Sequence, residues 1–144
     1  MRTLDRAEIL PAILLDDLAR EVRQLSQIVL GNQSQQQRVQ ANDTLVADGT
    51  EQTVVSVSSA APFELQGWFK LLAEQAGDRV IIRVYCKLLP ADDCDPYAVE
   101  QYEGPVSPPL VKIGPLPGMY GTKITLQQIA GTMRKYPYQF FRKG

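Results

Sequence analysis

From Thr44 to the C-terminus, apolar and polar residues alternate, and clusters of Gly, Pro and Asp interrupt the alternation at short intervals. A period of two places successive side chains on opposite faces of an extended strand. The pattern predicts strands near 44–47, 51–58, 63–72, 78–89, 97–103, 109–113, 121–129 and 136–142. The turns between them are Asp48-Gly49, Ala61-Pro62, Ala76-Gly77-Asp78, Asp95-Pro96, Gly104-Pro105 and Gly114 through Gly118. In the fourth strand Val80, Ile82, Val84, Cys86 and Leu88 share one face, while Arg79, Ile81, Arg83, Tyr85 and Lys87 share the other. One dry face and one wet face are what an antiparallel sheet over a core requires. The fold class that follows is mainly β: an antiparallel sandwich, jelly-roll-like, of seven or eight strands.

The first part of the chain has a different period. Leu15, Leu18, Val22, Leu25 and Val29 recur at alternating spacings of three and four. Asp16, Asp17, Arg20, Arg23, Gln24 and Gln27 fall on the other faces. This predicts a helical arm over 1–31, stopped by Gly31-Asn32. A 3.5-residue stripe suits a coiled-coil seam between subunits, and it equally suits an amphipathic helix packed on its own domain. Residues 32–43 contain five glutamines and a single Val, too little apolar surface for a core, so a polar linker is expected there. The domain plan is therefore an arm (1–31), a linker (32–43) and a sandwich (44–144).

Composition narrows the function. There is no histidine among the 144 residues, which removes the usual general base and the commonest transition-metal ligand. Ser58, Ser59 and Ser107 consequently have no imidazole to activate them, and no glycine-rich phosphate loop occurs. Fifteen basic and sixteen acidic residues give a formal charge of -1, which argues against nucleic acid as the partner. Arg134, Lys135, Arg142 and Lys143 read as a solvated basic end. No apolar run approaches membrane-spanning length, and the N-terminus lacks the order of a signal peptide, so synthesis and folding in the cytoplasm are expected. No enzyme activity and no cofactor are expected.

Other clusters read more simply as structure. Asp92, Asp93 and Asp95 lack the spacing of a calcium loop and suit a turn. Cys86 is expected as a small core residue and Cys94 in a loop, unbridged. Tyr136, Tyr138 and Phe140 share a face and are expected in the core, while Trp68 and the C-terminal tyrosines are the candidates for a carbohydrate platform. Pro105, Pro108, Pro109, Pro115 and Pro117 are expected to fix loops and cap an edge strand. In Gly121–Thr132, Ile124 and Leu126 point inward while Lys123, Thr125 and Gln127 point out. Gln128 falls on the core side by parity, where its amide needs a partner, and a clamp on a loop backbone at the sheet end is expected.

The stretches LVADGTEQTVVSVSS, FELQGWFKL, AGDRVIIRVYCKL and GTKITLQQIAGTMRKYPYQFFR together resemble small β-sandwich virion proteins of prokaryotic viruses. The resemblance rests on Gly49-Thr50-Glu51-Gln52, Gly67, Gly77-Asp78, and Thr125-Leu126-Gln127-Gln128 followed by Ala130-Gly131-Thr132. Within that group the chain is similar to capsid decoration (cement) proteins of tailed phages. The resemblance implies a homotrimer bound to the major capsid protein or another virion protein, with a virion location. It implies no membrane and no cofactor. A receptor- or carbohydrate-binding module of a fibre, tail or neck is the alternative it implies. The interface residues it suggests are Leu15, Leu18, Val22, Leu25, Val29, Gln127 and Gln128.

Overall fold

A computed structural model describes residues 19–22 and 36–144. Residues 19–22 are α-helical, and Val22 is 60% exposed. Leu15, Leu18, Leu25 and Val29 lie outside the described residues, as does the predicted helix stop. The chain divides into two units, Met1–Gln36 and Gln37–Gly144.

The second unit holds eight strands: β1 (Gln37–Val46), β2 (Gln52–Val57), β3 (Phe63–Lys70), β4 (Arg79–Lys87), β5 (Asp95–Glu103), β6 (Leu110–Gly118), β7 (Gly121–Ala130) and β8 (Lys135–Lys143). They form two four-stranded sheets, ordered β1-β8-β3-β6 and β2-β7-β4-β5, in which every neighbouring pair is antiparallel. Only β4 and β5 follow one another within a sheet; every other connection crosses from one sheet to the other. This is the strand order of an eight-stranded jelly roll.

Alternation decides which residues fill the space between the sheets. Phe63, Leu65, Phe69, Tyr136 and Phe140 enter from the first sheet, and Val57, Val80, Ile82, Val84, Ile124 and Leu126 from the second. Each is buried, and burying one such side chain contributes about 1.5–3 kcal/mol. Phe69 and Phe140 meet edge to face, with centroids 5.3 Å apart. Tyr136 and Phe140 thus sit in the core as their parity predicts, and Tyr138 packs against it half-buried.

Several expected boundaries require correction, the smallest being that Asp95-Pro96, expected as a turn, opens β5. The polar linker was expected to run to Asp43, but β1 begins at Gln37. Residues 37–44 carry no side chain that is fully buried. They are held by the backbone ladder to β8, from Gln37 opposite Lys143 to Val46 opposite Lys135. An edge strand can be made by pairing alone, so its composition does not announce it. Likewise, Gly114 to Gly118 was expected as a turn but continues β6. β6 is the outer strand of its sheet, where Pro115 and Pro117 need not donate to a further neighbour. Gly114, with φ of +90°, stands where the register with β3 shifts between Leu65 and Gly67. The edge-strand role read for the prolines is thus seen at Pro115 and Pro117.

The corrected start of β1 moves the cut that spares the body. Removing residues 1–36 is expected to leave cooperative melting by circular dichroism intact. Removing residues 1–43 takes most of β1, bares the edge of β8 and is expected to lower the midpoint clearly.

Candidate interaction surfaces

Gln128 occupies the inner face of β7 and is completely buried. Its Nε2 donates to the carbonyls of Ala130 (3.1 Å) and Thr132 (2.7 Å). Its Oε1 accepts from the Arg134 amide (3.0 Å) and the Tyr136 hydroxyl (2.9 Å). One amide thereby fixes the whole β7–β8 turn, as parity and the need for a partner predict. The interface role suggested for Gln128 does not fit this position, because its side chain is enclosed and its bonds are spent within the chain.

Asp78 completes this end of the sandwich. Its side chain is 3% exposed and accepts from the amides of Gln75 (2.8 Å) and Thr132 (3.0 Å) and from Arg134 Nε (2.8 Å). The Gln75 amide first, and then Arg134 and Thr132, hold its carboxyl below the usual range. Gly131 is required beside it: φ is +84°, and a Cβ there would lie 2.0 Å from Asp78 Oδ1. Asp78 therefore joins the β3–β4 loop to the β7–β8 turn. Glu74, in the same loop, is 1% exposed, and neither of its carboxylate oxygens has a hydrogen-bond partner.

Gln127 lies on the outer face of the β2-β7-β4-β5 sheet. Its Nε2 donates to the Gly49 carbonyl (3.0 Å), and its Oε1 accepts from Arg83 (2.9 Å). Beside it, Glu51 Oε1 accepts from Tyr85, from Thr125 Oγ1 (3.0 Å) and from Arg83 (3.2 Å). The Tyr85 hydroxyl, foremost among these donors, lowers the Glu51 pKa. Thr125 points outward as its parity predicts, yet it is only 2% exposed, within the group formed by Glu51 and Arg83. The Lys123 ammonium sits 4.6 Å from the Tyr85 ring centroid. Gly49-Thr50-Glu51 is thus strapped to the sheet, and the result is an ordered polar face.

The opposite sheet presents Trp68, 40% exposed, with Lys112 Nζ 5.8 Å from its ring centroid. A shallow hollow of about 260 Å³ adjoins it, lined by Asn42, Lys70, Leu110 and Gln139 among others. A third surface lies where β4, β5, β6 and β7 meet. Cys86, Leu88, Tyr97, Leu116 and Met119 line a mostly apolar cavity of about 340 Å³ there, with Lys87 beside them. Leu88, Leu89 and Tyr97 are exposed. Cys86 and Cys94 are free thiols, and burial pushes the Cys86 thiol upward. Among the described residues no three acidic or thiol side chains are grouped to hold a metal ion, and no helix is long and apolar enough to cross a membrane.

No family model matches the chain, and no curated protein matches it. Solved structures do show a likeness. The VP2 subviral particle of infectious bursal disease virus is 11% identical over 74% of this chain and 31% of the viral chain, with a TM-score of 0.40. The structure of the Gx strain of that virus is 10% identical over the same shares, with a TM-score of 0.36. A family 16 carbohydrate-binding module is 11% identical over 67% of this chain and 71% of its own, with a TM-score of 0.25. The chain spans about a third of the length of the viral chains it matches. With superpositions this loose, the jelly-roll assignment rests on the strand order and register described above.

Proposed function

We propose that this chain is a structural protein of a virion, specifically a capsid decoration protein that assembles as a homotrimer on the head of a tailed phage. The observation that carries the reading is the strand order β1-β8-β3-β6 facing β2-β7-β4-β5, an architecture recurrent in viral capsid and lectin domains. The heptad stripe of Leu15, Leu18, Val22, Leu25 and Val29 supports it by offering a seam, and Val22 is exposed. The polar face around Gln127 supports it by offering an ordered surface to a neighbour. Arms and bodies repeated over a shell bind through effective concentration, so each contact can be weak. The partner is the major capsid protein or another virion protein, and the location is the virion. Cosedimentation with empty shells of the encoding virus tests this. Saturable binding is expected, and a protein that stays in the supernatant at every concentration contradicts it.

Trp68 supports a second reading, a carbohydrate-binding module. Its exposed indole is flanked by amide and ammonium groups from Asn42, Gln139 and Lys70, which suits stacking on a sugar ring. A glycan array is expected to give a signal that Trp68→Ala removes; an array without signal ends this reading.

A further inference from the structure

The β3–β4 loop closes one end of the sandwich around a carboxyl group with no partner. Glu74 is 1% exposed, and both of its oxygens lack hydrogen bonds. A buried charge is tolerated only when paired, and among the described residues no cation pairs with Glu74, while the Val80 amide approaches it without completing a hydrogen bond. From its own loop, Asp78 faces it, and from the end of β5, Glu103 does; both are acidic. Arg134, the cation of the β7–β8 turn, is committed to Asp78 at 2.8 Å. Arg79 of β4 pairs with Glu103 at 3.2 Å. Tyr136 of β8 is a further neighbour. Exclusion from water, reinforced by Asp78 and Glu103 and opposed by the Val80 amide, pushes the Glu74 pKa up to about 7.

We propose that Leu72–Gly77 is a proton-held flap, seated while Glu74 is neutral and released when its carboxyl ionises. The step is a single deprotonation: the proton passes to water, and the carboxylate follows it outward as the loop opens. The hinges are defined by what holds the flap's ends. Leu71 is fully buried, and its amide donates to the Pro109 carbonyl at 2.8 Å. Asp78 is tied to Thr132 and Arg134, and its carbonyl accepts from the Gly104 amide at 3.1 Å. Between these anchors the flap is held by the Glu74 amide on the Leu71 carbonyl (3.1 Å), by Gln75, which bonds Asp78 through both its amide and its carbonyl, by the bridge of Ala76 to Gly104, and by Ala73 against the core, and opening breaks these contacts. Release takes the Glu74 carboxyl away from Tyr136, its neighbour in the seated state. The sign follows from linkage. The raised pKa belongs to the seated state, so a seated loop binds more protons than an open one, and opening grows as pH rises from about 4.5 towards 7 and levels off above it.

The test uses the full chain labelled with ¹³C-glutamate. The Glu74 carboxyl signal is expected to titrate with a midpoint near 7. Amide exchange at Glu74 and Asp78, corrected for the intrinsic rate, is expected to show opening about tenfold greater at pH 8 than at pH 6. Glu74→Gln is expected to abolish that rise. A wild-type midpoint in the ordinary carboxylate range overturns the proposal whatever the variant does, and so does an equal rise in the Gln variant.

Discussion

Replacing Gly67 by alanine is expected to destabilise the protein by about 3 kcal/mol or more, and valine is expected to prevent folding. Gly67 sits in β3 between β8 and β6, paired with Phe140 on one side and Ile113 on the other. A Cβ at this position would lie 2.2 Å from the Gln139 carbonyl oxygen and 2.4 Å from a Phe140 ring carbon. Neither neighbour can yield cheaply. The carbonyl belongs to a ladder strand, and the Phe140 ring is completely buried against Phe69. The absent side chain is what lets the ring lie over the strand, so the glycine and the phenylalanine form one packing unit. Gly49 is the control. It has positive φ (+88°), which Gly67 does not, but a Cβ there meets nothing within 4 Å, so alanine is expected to cost only about 1 kcal/mol of backbone strain. Urea unfolding followed by circular dichroism checks both. Equal, small losses at the two sites contradict the packing described around Gly67.

Gln128→Leu has the next largest expected effect, a loss of about 3–5 kcal/mol. Leucine nearly keeps the volume, so the loss isolates the hydrogen bonds. It strands the carbonyls of Ala130 and Thr132, the Arg134 amide and the Tyr136 hydroxyl, all of which converge on this one amide. Gln128→Glu separates the two halves of the side chain. It keeps oxygen for Arg134 and Tyr136 but turns an acceptor toward two carbonyls, so it is expected to be destabilised at neutral pH and partly restored by protonation in acid. Thermal melts at two pH values read this directly. A Leu variant as stable as the parent contradicts the clamp.

Gln128 also shows how far a sequence of this kind can be read. Strict alternation through Ile124 and Leu126 puts the next even position inside, and an inward amide must find partners, so both its burial and its use followed from parity. The strands with a dry face were legible for the same reason. The end of β1 was legible as the strand near 44–47, but its first residues, 37–43, were not, because an edge strand held by backbone pairing needs no apolar face and five glutamines look like a linker. The continuation of β6 through Pro115 was hidden because proline ends a strand everywhere except at an edge, and being an edge is a property of strand order. Strand order itself left no local trace, since nearly every connection crosses between sheets. Thr125 was placed on the correct face, but its burial depends on Glu51, which arrives from another strand's turn. Glu74 carried no signal at all. A glutamate in a loop reads as solvated until the fold brings Asp78, Glu103 and Tyr136 around it.

The proposed role requires the chain to self-associate, with the seam in the segment before β1 and the jelly roll as the folded body. Light scattering on the full chain and on residues 37–144 measures this most directly. A particle of three times the 16.0 kDa chain mass is expected for the full protein, and a weaker assembly or a monomer for the truncated body. A strict monomer for the full chain across the accessible concentration range contradicts it.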